Sequence, residues 1–149
     1  MESIKTYQEI NQITEKIIGC SYRVSNTMGG GFLEKVYENA LAHELFKAGL
    51  KVTQQCSIQV MYDGIPVGDF IADLLVDDCV LVELKTVKQL DESHMAQCMN
   101  YLKGTGLNIC LLFNFANRRL EFKRIVHNLI EPTKKAIRIF ANPYTIFYK

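Results

Sequence analysis

The sequence predicts a single α/β domain in which helices flank a mixed central β-sheet of about five strands. One observation behind this prediction is a change of periodicity, from apolar residues three or four apart near the N-terminus to alternating and continuous apolar segments further along. The other is size, because 149 residues, of which 48% are hydrophobic, suffice for one core but not for two independent domains. The predicted element order is α-α-β-β-β-α-β-β.

Two helices are predicted before the first strand. Apolar residues recur at helical spacing from about Tyr7 to Thr27, and three glycines at 29–31 then interrupt the pattern because consecutive glycines are unfavourable in a helix. A second helix is expected to begin just after them and to end before Gly49. Its apolar face is predicted to consist of Leu33, Tyr37, Ala40, Leu41, Leu45 and Ala48.

Period-two and continuous apolar segments predict the strands, and an acidic start at Asp91 predicts the third helix, which Gly104 is expected to end. The expected ranges are strands at 52–62, 70–76, 79–86, 108–113 and 120–125, with the third helix at 91–104. We expect residues 1–127 to form the domain. Residues 128–149 are expected to be a C-terminal extension that packs on the domain or lies at a subunit contact, as in a homodimer.

Composition excludes several classes of protein. The formal net charge is only +1, so a nucleic-acid partner would have to bind a local basic patch. No long apolar segment or signal peptide is evident, which predicts a soluble, cytoplasmic protein that does not bind membranes. The five cysteines include no C-x-x-C pair and the three histidines have no zinc-enzyme spacing, so a zinc protein is not expected.

The predicted third strand contains two charges that need an explanation. Glu83 and Lys85 are two residues apart and therefore project from the same face of an otherwise apolar segment. Burying an ion costs several kcal/mol, so such a pair must be compensated by mutual pairing, by a metal ion, or by exposure in a cleft.

Asp73, on the preceding strand, joins this pair only in one register. A two-residue loop at positions 77 and 78 would place Asp73 and Glu83 on opposite faces of the sheet. A three-residue loop or a β-bulge would pair Val76 with Val80 and set Asp73 directly across from Glu83. The two carboxylates would then suit Mg²⁺ or Mn²⁺, and Lys85 could orient an attacking water or stabilise charge on a phosphate, which favours phosphodiester hydrolysis.

The spacing of Asp73, Glu83 and Lys85 resembles the D-x(n)-E-x-K core of the PD-(D/E)XK nuclease superfamily, although Ala72 replaces the proline of that name. The segment from Gly31 to Tyr37 is similar to the signature of the GxxExxY protein family. The similarity covers residues 8 to 127 and implies a restriction-endonuclease-like core. It also implies a nuclease that uses Mg²⁺ or Mn²⁺ and acts on nucleic acid, DNA rather than RNA.

The resemblance further implies roles for individual residues. The implied metal ligands are Asp73, Glu83, the Leu84 backbone carbonyl and Glu34, and the implied catalytic residues are Lys85, Glu83, Asp73 and Glu34. Gln97 and Tyr101 resemble the Q-x-x-x-Y motif of the recombination exonuclease branch and are expected to contact substrate.

Two other interpretations remain open at this point. The chain could be a non-catalytic module that keeps the nuclease fold and binds nucleic acid or a protein. It could instead be a structural subunit in which Glu83 and Lys85 form a buried ion pair.

A substrate path is predicted from basic residues on one side, namely Lys85, Lys88, Lys103, Arg118, Arg119, Lys123 and Arg124.

Overall fold

A computed structural model describes residues 5–129 and confirms the predicted α/β class and element order. The helices are α1 (Tyr7–Met28), α2 (Glu34–Lys47) and α3 (Glu92–Thr105), and the strands are β1 (Val52–Tyr62), β2 (Ile65–Val76), β3 (Val80–Lys85), β4 (Ile109–Asn114) and β5 (Glu121–Val126). Apart from residues 128 and 129, the predicted C-terminal extension lies outside the described residues. Within residues 5–129, no helix is long and apolar enough to span a bilayer.

The five strands form one mixed sheet in the order β1-β2-β3-β4-β5, antiparallel except for the parallel pair β3 and β4. Helix α3 connects those two parallel strands and packs with Leu81 and Leu112 on one face of the sheet. Helices α1 and α2 cover the other face, where Val82 and Leu84 belong to the larger core. The central strands β3 and β4 are therefore enclosed on both sides, which explains their continuous apolar sequences.

Helix boundaries follow local capping chemistry, with two differences from the prediction. The Asp91 side chain accepts hydrogen bonds from the first turn of α3, and left-handed Gly106 ends this helix. Gly104, predicted to end α3, lies inside this helix. A Cβ at this position would be 3.0 Å from Ile58 Cγ2, so the glycine allows α3 to approach β1 closely. Leu33, predicted on the apolar face of α2, caps that helix and is 80% exposed.

The loop between β2 and β3 has three residues, which confirms the register that a metal site would require. Val76 pairs with Val80, and the Cys79 N–H donates to the Val76 carbonyl at 3.1 Å. Asp77 and Asp78 both adopt left-handed backbone angles, with φ of 49° and 56°. Aspartate tolerates this conformation better than most residues, so the Asp-Asp sequence suits the loop.

The inward face of the β1–β2 hairpin reverses at Asp73. Leu74 belongs to the core under α1 and α2, whereas Ala72, two residues away, packs in the core under α3. Gln55, on β1 opposite Asp73, has a φ of 54° that interrupts the regular pairing. Alternating apolar residues from Val52 to Tyr62 predict a single apolar face for β1, and this prediction is wrong: Val52 packs on one side of the sheet and Ile58 on the other, since the left-handed Gln55 breaks the period of two.

Candidate active site

Asp73 and Glu83 meet where β2 separates from β3. Regular pairing of these strands ends at Leu74 and Val82, one residue before the two carboxylates. Beyond this point, hydrogen bonds to side chains replace the backbone hydrogen bonds between the strands. The Asp73 N–H donates to Glu83 Oε1 at 3.2 Å, and the Leu84 N–H donates to Asp73 Oδ2 at 2.8 Å. The sequence thus brings its two predicted ligand carboxylates together by the three-residue loop and fixes both through backbone amides.

Glu83 lies in a mostly enclosed environment. The residue is 4% exposed, and Lys85 Nζ lies 3.7 Å from its Oε2 atom. Burial, reinforced by the neighbouring Asp73 carboxylate, raises the pKa of Glu83 to about 8 despite the opposing effect of Lys85. One ammonium group therefore does not balance two adjacent carboxylates, and without a further cation Glu83 tends to retain a proton near neutral pH.

Gln97 and Tyr101 lie one turn apart on the same face of α3, and Tyr101 reaches Glu83. The Gln97 Nε2 atom donates to the Tyr101 hydroxyl at 2.8 Å. That hydroxyl lies 3.2 Å from both Glu83 Oε2 and the Ile71 carbonyl, so its single proton can be donated to either oxygen. Burial and the Glu83 charge raise the pKa of Tyr101, which keeps it a neutral donor. Since Tyr101 is only 2% exposed, the geometry favours positioning of Glu83 over stacking on a nucleobase.

Glu34 is the first residue of α2 and is exposed, and its carboxylate interacts electrostatically with Asp73 and Lys85. Partial burial and the Asp73 carboxylate raise the pKa of Glu34, while Lys85 and the Thr86 backbone amide lower it. Within residues 5–129, no three His, Cys, Asp or Glu side chains are grouped so as to hold a metal ion. The expected convergence of Asp73, Glu83 and Glu34 on one point is thus not found among these residues.

The glycine segment before α2 is fixed by Tyr37. The Tyr37 hydroxyl donates to the Gly29 carbonyl at 2.6 Å and accepts from the Phe32 N–H at 3.2 Å. Its ring stacks on Phe115 with centroids 4.9 Å apart. Glu34 precedes Tyr37 by three residues, so this anchored tyrosine fixes the helix turn that carries the glutamate.

Asn114, which sequence reasoning did not identify, supports the segment that follows Lys85. It ends β4, pairs in register with Lys85 and is fully buried. Its Nδ2 atom donates to the Val87 carbonyl at 2.8 Å, and its Oδ1 atom accepts from the Val87 N–H at 3.1 Å. The only advance signal was a polar residue at the end of a continuous apolar strand.

Glu38, also missed from the sequence, is connected to the site through a glutamine. This residue is 3% exposed and accepts from Lys35 Nζ and Gln54 Nε2, each at 2.7 Å. It also accepts at 2.6 Å from Gln55 Nε2, which lies 3.5 Å from Asp73 Oδ1. The left-handed Gln55 thus links α2 to the first carboxylate of the site.

The donor set fits a hard divalent cation. Asp73 and Glu83 supply oxygen donors next to each other, and their charge exceeds that of Lys85. Mg²⁺ is commonly held by one or two carboxylates plus water and substrate phosphate, so a third protein carboxylate is not needed. The Leu84 carbonyl is a further backbone oxygen on the same strand, and its assignment as a ligand, like that of Glu34, stays a prediction.

The chain belongs to the PD-(D/E)XK nuclease superfamily, whose family model matches residues 11–125, more than half of its length. This membership, together with the mixed five-stranded sheet, confirms the restriction-endonuclease-like core expected from the sequence. It also makes the protein nuclease-like in the broad sense. The narrower resemblance to the GxxExxY family stays a prediction.

Several solved structures are similar to the chain. One is SSO0001, at 17% identity and a TM-score of 0.49, with 76% of this chain and 57% of that one covered, so the chain spans less than two thirds of that protein. Another is an alkaline exonuclease, LHK-Exo from Laribacter hongkongensis, at 15% identity and a TM-score of 0.48, with 98% of this chain and 80% of that one covered. A third is LHK-Exo in complex with dAMP, at 17% identity and a TM-score of 0.48, with 96% of this chain and 79% of that one covered. Comparison with curated proteins gives no match.

Proposed function

We propose that this protein is a Mg²⁺- or Mn²⁺-dependent nuclease that hydrolyses phosphodiester bonds, with DNA as its preferred substrate. The observation that carries the proposal is the contact between Asp73 and Glu83, two carboxylates held side by side with Lys85 as their cationic neighbour. Family membership supports it, since a nuclease requires charge stabilisation at a phosphate and an activated water.

Each residue of the site has a distinct part in the proposed reaction. Asp73 and Glu83 hold the cation, and Tyr101 keeps the Glu83 carboxylate oriented through its hydroxyl. Lys85 lies beside the carboxylates, 19% exposed, and carries a positive charge that can stabilise negative charge on the phosphate or orient the attacking water. Glu34, which is exposed, supports the site by accepting a hydrogen bond from water or substrate.

When bound, the divalent cation supplies Lewis-acid chemistry, neutralising the phosphate and making water more acidic. Glu83 must be ionised to hold that cation, although its pKa is raised to about 8 in the protein alone. Cation binding therefore competes with a proton at Glu83, and the Tyr101 hydrogen bond favours the ionised form.

The proposed activity is tested with the full chain and end-labelled single-stranded and double-stranded DNA and RNA. Cleavage should require Mg²⁺ or Mn²⁺ and stop on addition of EDTA. Lys85→Ala should lower the cleavage rate by about 10²- to 10³-fold, which is typical when one transition-state charge contact is lost. Lys47→Ala is the matched control, because this lysine lies in the last turn of α2, at the opposite end of that helix from Glu34, and should leave the rate unchanged.

Cation binding is measured separately from activity, by calorimetric titration with Mn²⁺. The native protein should bind, Glu83→Gln should weaken binding at least tenfold, and Lys85→Ala should retain it. Cleavage that survives EDTA, or that Lys85→Ala does not reduce, would show that the site is not catalytic. Cation binding without cleavage of any of the four nucleic acids would favour the non-catalytic module.

A further inference from the structure

Three loops meet at the end of the sheet where β3 and β4 terminate. We call residues 29–33, 86–90 and 115–119 together the entry rim. The Phe115 N–H donates to the Lys85 carbonyl at 2.9 Å, and Asn117 Nδ2 donates to the Lys88 carbonyl at 3.1 Å, which joins the second and third loops. A Cβ on Gly30 would lie 2.6 Å from the Ala116 carbonyl oxygen, so the glycine loop is in direct contact with the third.

The entry rim has positive charge that the rest of the described protein does not neutralise. Lys88, Arg118 and Arg119 are all exposed on it. Within residues 5–129 none of their side chains forms an ion pair or a hydrogen bond, unlike Lys35, which is bound to Glu38. These cations lie on the loops that follow β3 and β4 and do not pair with the acidic site, so they are available to a separate anion, such as a phosphate chain that reaches the site.

The same rim exposes large apolar side chains. Phe32 is 48% exposed and contacts Tyr37 only edge-on, with ring centroids 6.0 Å apart, while Leu33 is 80% exposed. Both directly precede Glu34 in the sequence. Exposed apolar groups next to a cluster of cations match the chemistry of a nucleotide chain, which combines flat apolar bases with phosphates.

We propose that the entry rim binds an unpaired stretch of nucleic acid, an inference that rests on the proposed function. Lys88, Arg118 and Arg119 contact the phosphates, and a base stacks on Phe32 with Leu33 beside it. In an intact duplex the bases are already stacked on one another and cannot reach an exposed ring. The protein therefore acts on single strands, overhangs or frayed ends in preference to blunt duplex.

The base contact is tested by Phe32→Trp. The chain contains no tryptophan, so this substitution introduces a single fluorescent reporter, and it retains a ring that can stack. In EDTA, which prevents cleavage, single-stranded oligonucleotides of about 12 nucleotides should quench the fluorescence, and a blunt duplex should not. Phe46→Trp is the matched control, since Phe46 is 74% exposed near the opposite end of α2, about 20 Å away, and should show no quenching.

Phe32→Leu removes the aromatic face and keeps an apolar side chain against Tyr37. It should weaken binding of single-stranded DNA on the order of tenfold with little change in thermal stability. A fall in stability without a loss of affinity would overturn the base contact, because Phe32 would then serve only to hold the glycine loop.

The phosphate contacts are tested by the double substitution Arg118→Ala and Arg119→Ala. The slope of log affinity against log salt should become shallower by about 1.4, or about 0.7 for each lost contact with a single strand. The matched control is Lys16→Ala with Lys47→Ala, which removes the same charge from α1 and α2 and should leave the slope unchanged.

These results can be distinguished from a failure of the proposed function. Binding of single strands that depends on the rim, without cleavage in Mg²⁺, would support the rim and overturn the nuclease assignment. Cleavage that none of the rim substitutions affects would overturn the rim and leave the nuclease assignment in place. Equal binding of blunt duplex and single strand would also overturn the proposal that the entry rim binds unpaired nucleic acid. Absence of binding to either would overturn it as well and would point to a protein partner for this surface.

Discussion

The Tyr101 hydroxyl lies 3.2 Å from the Glu83 carboxylate, so a residue of α3 contacts the central acid of the sheet. Removing this hydroxyl with Tyr101→Phe keeps the ring and its packing against Phe70. The pKa of Glu83 should rise further, because the hydrogen bond to its ionised form is lost. We expect Mn²⁺ affinity to fall by about 10- to 100-fold, measured by calorimetric titration.

Tyr22→Phe is the control for this prediction. Tyr22 is 40% exposed on α1 and contacts Phe122 edge-on, away from the acidic pair. Its substitution should not change cation affinity. An unchanged affinity in Tyr101→Phe as well would mean that the hydroxyl donates to the Ile71 carbonyl rather than to Glu83.

Glu83 should make the stability of the metal-free protein depend on pH. Its pKa is raised from 4.5 to about 8 on folding, so the folded state binds more protons than the unfolded state between these values. The contribution of Glu83 to the free energy of unfolding should therefore be most favourable below about pH 4.5 and should fall as the pH rises to about 8. Thermal melts in EDTA between pH 5 and 8 measure this slope.

Glu83→Gln supplies the comparison for the pH dependence, because the amide occupies a similar volume and does not ionise. The melting temperature of this variant should decline less between pH 5 and 8 than that of the native protein. Addition of Mg²⁺ at pH 8 should stabilise the native protein and not the variant. Parallel pH profiles for the two proteins would assign the slope to another group.

Glu38 should matter for stability more than an ordinary helix glutamate. Glu38→Ala would leave Gln54 and Gln55 without their buried carboxylate acceptor and would remove the ion pair with Lys35. We expect the free energy of unfolding, measured with urea, to fall by about 1–3 kcal/mol. Glu15→Ala, at an exposed position of α1, should change it by no more than about 0.5 kcal/mol.

Gly30 should not tolerate alanine, although its backbone angles are not left-handed. The added Cβ would lie 2.6 Å from the Ala116 carbonyl oxygen, so one of the two loops must move. We expect Gly30→Ala to lower the free energy of unfolding by about 1–3 kcal/mol, which is typical of overpacking. Because Glu34 follows this loop, the cleavage rate should fall as well.

Gly19→Ala should have the opposite effect on the free energy of unfolding. Gly19 lies within α1, and a Cβ there would have no neighbour within 4 Å. Alanine also favours the helix, so stability should rise by about 0.5–1 kcal/mol. If both glycine variants behave alike, contact with Ala116 is not what requires a glycine at position 30.

Local patterns in the sequence were sufficient to predict the five strands and the two charged residues of β3, but not the pairing of Asp73 with Glu83. Period-two and continuous apolar segments identified β1 to β5, and spacing identified Glu83 and Lys85. The choice between a two-residue and a three-residue loop remained open, because either is compatible with Asp77-Asp78. The structure decides it through the pairing of Val76 with Val80.

Features that depend on contacts between distant segments could not be predicted in this way. Glu38 looks like a surface residue of α2 until Gln54 and Gln55 from β1 are placed against it. Gly104 resembles a helix stop unless the close approach of Ile58 is known. Both errors arise because local propensity does not include the packing of a neighbouring strand.

The reversal of the hairpin face at Gln55 and Asp73 divides β1 and β2 into two parts with different tolerance for changes in chain length. Between Asp73 and Glu83 an added or deleted residue would turn one carboxylate to the other side of the sheet. Beyond the reversal, toward the Asp63-Gly64 turn, the hairpin carries exposed residues such as Tyr62 and Ile65 and takes no part in the acidic pair. A peptide tag or a spectroscopic label inserted at that turn should therefore leave the site intact.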